Sequence, residues 1–224
     1  FIVAMVKAAA AGVKVPVVLH LDHGTDFEQV LRCIRYGFSS VMFDGSKLPL
    51  EENIAMTQRV VEIARAVGVS VEGELGKIGG TEDDVTVEER EALFTEPAEA
   101  ERFVRETGVD ALAVAIGTAH GPYKWEPKLD FPRLQQIKER TDASVVLHGS
   151  SGVPDEAVRQ AVALGVTKMN IDTEIRQAFV RAVNTYMQAN PANIDPRNML
   201  APGKAAAKKV IKEKMRLFGC SGQA

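Results

Sequence analysis

The chain has 224 residues, 46% of them hydrophobic, enough to bury the core of one sizeable domain. Its 27 basic and 30 acidic residues leave a net charge of −3, which provides no basic field for a nucleic-acid partner. The two cysteines, Cys33 and Cys220, are too widely separated for a disulfide framework or a paired metal motif, and they fit a reducing cytoplasm.

The opening stretch, FIVAMVKAAAAGVKVP, is apolar but too short to span a bilayer; Lys7 interrupts it and it lacks a basic n-region, so it is expected as a core helix and not a membrane anchor. Apolar, β-branched runs then recur at residues 15–21, 39–43, 69–75, 111–116, 143–147 and 166–171, each a predicted strand. Helical periods separate them at residues 26–36, 51–67, 98–107, 132–140 and 155–164. Gly37, Gly68, Gly108 and Gly165 stand where a helix C-cap glycine belongs. A helix over residues 173–188, a Pro- and Asn-rich loop over 190–202 and a helix over 204–217 complete the chain. Residues 190–224 therefore read as a C-terminal loop and helical extension of a single domain, residues 1–224.

Six strand–helix units in succession specify a parallel sheet. A closed (β/α)8 barrel takes about 250 residues and eight units. The expectation is a TIM (β/α)8 barrel represented here without its first strand, first helix and second strand. An open doubly wound sheet of six strands is the alternative.

Three of the four histidines terminate predicted strands. His23 ends the run in VVLHLDHG, His120 follows the strand ahead of GTAHG, and His148 opens HGSSG after SVVL. A polar strand end with Thr25 or Asp26 capping the next helix would explain His23 alone. A barrel, however, converges its strand ends on one rim. Three neutral imidazoles with an open fourth position are the ligand set of a catalytic zinc. His20 has the opposite strand parity from His23 and is expected to be an inner hydrogen-bonding residue.

Carboxylates share that rim. Asp22 adjoins His23, Asp44 ends VMFD, and Glu72 and Glu74 alternate onto one face of VEGEL. Buried without partners, each would cost several kcal/mol, so either barrel lysines or arginines pair with them or they serve a site. GKIGGTEDD follows at once, with Gly76, Gly79 and Gly80 for mobility and Glu82, Asp83 and Asp84 for charge; it reads as a solvated acidic loop or as a lid carrying a general base. Two loops suit phosphate: Gly149 to Gly152 offers backbone N–H groups and two hydroxyls ahead of a helix, and Asn170 to Thr173 opens the next helix at its positive end. With two strands absent, these loops would follow strands seven and eight, the recurrent phosphate position of the barrel.

HLDHG, VEGELGKIGGTED, GTAHGPYK, VLHGSSGVP, KMNIDTE and DPRNML, in this order and nearly from end to end, resemble the class II, metal-dependent fructose-bisphosphate and tagatose-bisphosphate aldolases. The resemblance implies a lyase that cleaves fructose 1,6-bisphosphate reversibly to dihydroxyacetone phosphate and glyceraldehyde 3-phosphate, in glycolysis and gluconeogenesis. It implies that His23, His120 and His148 hold a catalytic Zn2+, and that Asp44 and Glu74 serve a second or alternative location for a divalent or monovalent cation. Asp22 matches the proton-transfer acid and Glu82 the base that deprotonates dihydroxyacetone phosphate. Gly121, Gly149, Ser150, Ser151, Asn170, Ile171, Asp172 and Thr173 match the dihydroxyacetone-phosphate contacts, and Arg197 an arginine at the far phosphate. The family also implies a cytoplasmic homodimer or homotetramer with sugar bisphosphate and triose phosphates as its partners, without nucleic acid or membrane. Trp125 departs from the pattern, standing where the family has glycine.

Four other readings stay open from the residues. The substrate could be tagatose 1,6-bisphosphate; Lys168, on the last predicted strand, could form a Schiff base in a metal-free aldolase. A three-histidine zinc site also suits a hydrolase. An incomplete barrel could be a noncatalytic binding module.

Overall fold

The computed structural model describes residues 1–82, 85–87, 94–123 and 126–223, with the backbone alone for residues 79–82 and 85–87. In chain order the strands are β1 (His20–Gly24), β2 (Ser40–Phe43), β3 (Ser70–Leu75), β4 (Gly79–Glu82), β5 (Val85–Val87), β6 (Ala111–Val114), β7 (Ala119–His120), β8 (Ser144–Leu147) and β9 (Val166–Met169). The helices are α1 (Ile2–Ala10), α2 (Phe27–Tyr36), α3 (Leu50–Ala66), α4 (Pro97–Thr107), α5 (Phe131–Arg140), α6 (Asp155–Ala163), α7 (Thr173–Ala189) and α8 (Pro196–Leu217).

Six strands form one parallel sheet in the order β1-β2-β3-β6-β8-β9. That order follows the chain without reversal, so the sheet has no switch point and the doubly wound alternative is set aside. The sheet is an arc with β1 and β9 at its edges. It curls far enough for Asn170, just past β9, to donate to both carboxylate oxygens of Asp22 on β1, at 3.0 and 2.9 Å.

Period-two alternation sorts the side chains between the two faces of this arc. Val41, Phe43, Val71, Leu112, Val114, Val145 and Leu147 point outward into the main core, against Val30 of α2, Ile54 and Val60 of α3, Phe103 of α4 and Leu134 and Ile137 of α5. The inner face carries the small cluster of Met42, Ala113 and Val146 together with the buried Glu72 and Glu74. Gly73 separates these two glutamates, and a Cβ there would come within 2.7 Å of the Phe103 ring. Glycine at this outward position is what lets the ring approach β3 so closely.

Three expectations need correction. The first strand begins at His20, not residue 15; Val15, Val17 and Val18 are exposed, because ladder pairing starts only at Leu19, whose carbonyl accepts from Ser39 and Ser40. The opening helix α1 contributes no buried residue and is no core helix; its sequence IVAMVKAAA has no polar stripe to orient one face inward. The C-terminal helix starts at Pro196, eight residues ahead of the expected position, because Asp195 caps it and Pro196 occupies its first turn. Pro202 sits inside that helix, and Gly203 packs beneath Phe179 and Val183 of α7.

The acidic segment after β3 is not wholly irregular. β4 and β5 make an antiparallel hairpin, and β4 also pairs in parallel with β7, Gly79 opposite Ala119 and Gly80 opposite His120. Thr95 bounds the segment on its far side: its hydroxyl donates to the Leu75 carbonyl at the end of β3 and accepts from Ala115 N–H at 2.8 Å. Asp83 and Asp84 lie outside the described residues, as do the side chain of Glu82 and all of Trp125.

Truncation at the centre of the outer core tests this packing. Phe103→Ala should lower the free energy of unfolding in urea by about 3–5 kcal/mol, since the ring is wholly buried and rigid strands surround it.

Candidate active site at the C-terminal rim of the sheet

His23, His120 and His148 come from the ends of β1, β7 and β8, and one ring nitrogen of each lies within 4.8 Å of the others. Their ring centroids are 5.2, 4.6 and 5.9 Å apart and all three pairs meet edge to face. His23 has a positive φ of 46°, at a register shift in the β1–β2 pairing between Leu21 and Gly24. A left-handed histidine costs on the order of 1 kcal/mol or more. Here it turns the imidazole from the strand's own direction toward the two others.

Carboxylates lock the histidine tautomers. His23 Nδ1 lies 2.9 Å from Asp44 Oδ2, and His148 Nε2 lies 2.8 Å from Glu72 Oε1. Burial alone would push the Asp44 carboxyl up, but hydrogen bonds from His23 and Ser46 outweigh it and hold the group at about 2. Burial likewise opposes ionisation of Glu72; the His148 hydrogen bond and the Lys168 charge prevail and bring it to about 2. Both carboxylates are therefore pure acceptors, so His23 carries its proton on Nδ1 and His148 on Nε2. The remaining nitrogens, His23 Nε2 and His148 Nδ1, face each other at 2.9 Å, and Asn170 Nδ2 lies 3.2 Å from the latter. A cation beside both ring nitrogens would take up their electron pairs. With His120 completing the group, the donor chemistry fits a zinc-type ion, with Asp44 and Glu72 orienting two of the three imidazoles.

Glu74 supplies a second sign. One of its oxygens, Oε2, is buried without a hydrogen-bond partner, 3.7 Å from His23 Nδ1. Burial, then the Asp44 charge, raises this carboxyl well above the ordinary range. His23, Asp44 and Glu74 form a second group whose ligand atoms lie within 4.8 Å of one another.

Below the histidines the inner face is polar. Lys168 Nζ pairs with Glu72 Oε2 at 2.8 Å, so the one cation considered for a Schiff base is engaged with a buried carboxylate. His20 takes the expected inner position, its Nδ1 2.8 Å from Ser40 Oγ. Burial, with the Lys168 charge, lowers its basicity.

The two expected phosphate loops come together. His120, Gly121, Gly149, Ser151, Asn170, Asp172 and Thr173 line one small cavity of about 20 Å3. Ser151 Oγ accepts from the amides of Asp172 and Glu174 at 3.3 and 3.4 Å, so a hydroxyl oxygen stands at the positive end of α7. Ser150 is buried and donates to the Leu147 carbonyl. Ile171 lies between these contacts on the same loop. Arg197 is not brought to this cavity; it is exposed in the first turn of α8 and its guanidinium hydrogen-bonds Asp195.

Sequence reasoning assigned no role to Tyr123. Its hydroxyl accepts from Ala119 N–H at 2.7 Å and donates to the Gly149 carbonyl at 2.8 Å, tying the His120 turn to the phosphate loop. Close approach explains Gly149 as well: its φ is 63° and a Cβ would fall 2.4 Å from the Ala119 carbonyl oxygen. Only the spacing within GTAHGPYK hinted at this tie, and spacing alone does not reveal a hydrogen bond.

The family model for class II fructose-bisphosphate aldolase matches residues 1–223. A fructose-bisphosphate aldolase of Geobacillus stearothermophilus is 47% identical over 212 residues, covering 95% of this chain and 73% of that protein. The D-tagatose-1,6-bisphosphate aldolase subunit GatY of Klebsiella oxytoca is 45% identical over 222 residues, covering 99% and 78%. The crystal structure of the YdjI aldolase from Escherichia coli K12 superposes with a TM-score of 0.85 at 34% identity, covering 100% of this chain and 77% of that one.

Removing the Tyr123 hydroxyl leaves the Ala119 N–H and the Gly149 carbonyl without their partner. Tyr123→Phe should lose about 1–3 kcal/mol of stability in urea unfolding.

Proposed function

The chain belongs to the class II fructose-bisphosphate aldolase family, and from that premise we propose that it cleaves fructose 1,6-bisphosphate reversibly to dihydroxyacetone phosphate and glyceraldehyde 3-phosphate. The observation that carries this reading is the convergence of His23, His120 and His148 from three separate strand ends, with carboxylates fixing two of the rings. Membership in this metal-dependent family sets aside the Schiff-base and hydrolase readings.

His23 Nε2, His148 Nδ1 and one nitrogen of His120 would hold Zn2+. Bound there, zinc supplies a Lewis acid that polarises the substrate carbonyl and acidifies the adjacent C–H. Glu82, on the β4–β5 hairpin, takes that proton in condensation and returns it in cleavage. Asp22 serves the other half of the substrate, accepting the C4 hydroxyl proton in cleavage and protonating the aldehyde oxygen in condensation. Asn170 holds the Asp22 carboxylate by two hydrogen bonds, which keeps its lone pairs aimed along the rim. Gly121, Gly149 to Ser151 and Asn170 to Thr173 receive the dihydroxyacetone phosphate group, with the Ser151 oxygen marking where a phosphate oxygen would accept from the α7 amides. Arg197 would reach the far phosphate by giving up Asp195. His23, Asp44 and Glu74 offer a second or alternative cation location. The two cysteines are unpaired, in keeping with a cytoplasmic enzyme, and a homodimer or homotetramer is the assembly we propose. Among the described residues, no helix is long and apolar enough to cross a membrane.

Cleavage assays on fructose and tagatose 1,6-bisphosphates, with and without a chelator, test this reading. The fructose epimer should be cleaved faster, EDTA should abolish turnover and zinc should restore it; a faster tagatose reaction selects the other substrate, and no turnover on either supports a noncatalytic module. Asp22→Asn should lower cleavage about 10²-fold or more. The same variant should still exchange the C–H proton of dihydroxyacetone phosphate with deuterated water, since Glu82 performs that step.

A further inference from the structure

The turn that follows β8 is tied at both ends by side chains from other parts of the chain. At its start Tyr123 donates to the Gly149 carbonyl; at its end the Gly152 N–H donates to Glu174 Oε1, in the first turn of α7. Ser151 returns the contact, its Oγ accepting from Glu174 N–H at 3.4 Å. The two segments thus cap each other, as the partners of a capping box do within one helix, and Ser151 supplies what Asp172 does not, since that N-cap residue makes no side-chain capping bond of its own. Gly149 and Gly152 are both left-handed, with φ of 63° and 81°. Glycine enters that region freely and leaves it as freely, so the turn keeps one shape only if its ends are held.

The Glu174 carboxylate is itself held from α8. Lys214, in the last turn of that helix, places Nζ 2.9 Å from Oε1 and 2.8 Å from Oε2. The pair is mostly buried, Lys214 at 14% and Glu174 at 27% exposure. Neither residue lines the cavity between the two phosphate loops, so neither is placed to touch what binds there.

We propose that Glu174 and Lys214 are positioning residues for the phosphate subsite, fixing the turn that receives the phosphate group. The proposal rests on the aldolase reading, in which Gly149 to Ser151 contact dihydroxyacetone phosphate. Without Lys214 the half-buried carboxylate turns out to water, the Gly152 amide loses its acceptor and the turn samples other shapes. Phosphate must then order the turn as it binds, which weakens affinity but leaves the chemical step unchanged once substrate is in place. By this route the far end of α8 is connected to the phosphate loop, although the helix lies outside the sheet that carries the chemistry.

The test uses the zinc-loaded full chain and the variants Lys214→Met and Lys214→Arg. Steady-state cleavage of fructose 1,6-bisphosphate gives kcat and KM, calorimetric titration with inorganic phosphate gives the affinity of the subsite itself, and amide hydrogen exchange reports on Gly152. Lys214→Met should raise KM and weaken inorganic phosphate about tenfold, the scale of one hydrogen bond to a charged group. Its kcat should change less than about threefold, and its Gly152 amide should exchange faster. Lys214→Arg, which keeps the charge, should return every reading to wild type. A folded Lys214→Met protein with wild-type KM and phosphate affinity overturns the proposal, as does one whose kcat falls while KM stays; should that variant fail to fold, Lys214→Gln is read in the same way. If wild-type protein binds phosphate more tightly than Lys214→Met yet cleaves no ketose bisphosphate, the functional reading alone is defeated. Wild-type protein that neither binds phosphate nor cleaves would defeat both.

Discussion

A carboxylate buried on the inner face of a sheet must find a proton, a cation or donated hydrogen bonds, and this structure is organised around three that do so in different ways. Asp44 is satisfied by His23 and Ser46, Glu72 by His148 and Lys168, and Glu74 keeps one oxygen unpartnered. The first two stay ionised and dictate which ring nitrogen of each histidine carries the proton. Glu74 is driven toward its neutral form unless a cation arrives. Stability alone would favour apolar residues at such positions, since buried ion pairs rarely outcompete well-packed hydrocarbon. Their retention on one rim is the physical signature of a site.

The fold makes that concentration possible. Parallel strands in chain order turn their outer faces into an apolar core against α2 to α5 and leave the inner face for chemistry. Each strand delivers its last residues to the same rim, where the loops that follow need only short reach. The loop geometry is then set by close contacts that permit little substitution: the left-handed backbone of His23, the Tyr123 hydroxyl between two loops, and the Ser151 oxygen at the start of α7. Thr95 joins the ends of β3 and β6 at the base of the β4–β5 segment, so the segment that bears Glu82 departs from and returns to one anchored point.

Much of this could be read directly from the sequence because it depends on local patterns. Strand positions, helix ends at Gly37 and Gly108, and the placement of three histidines at strand ends all follow from hydrophobic period and glycine punctuation. The parity argument that put His20 inward and set it apart from His23 also agrees with the structure, although a bulge at His23 contributes to that separation. Failures arose where apolar composition carried no direction. Residues 15–18 look like strand and α1 looks like core, yet neither has a facing surface that buries it. In α8 the Pro- and Asn-rich stretch hid a helix start, because Asp195 and Pro196 act as a cap and first turn rather than as a loop. The Lys168–Glu72 and Tyr123–Gly149 contacts join residues 96 and 26 positions apart, a distance over which no periodic signal operates.

X-ray absorption at the zinc edge of the metal-loaded protein tests the central claim most directly. The account predicts three imidazole nitrogens at about 2.0–2.1 Å with one further light atom and the multiple-scattering pattern of histidine rings. A zinc shell containing sulfur, or fewer than three imidazoles, would contradict it.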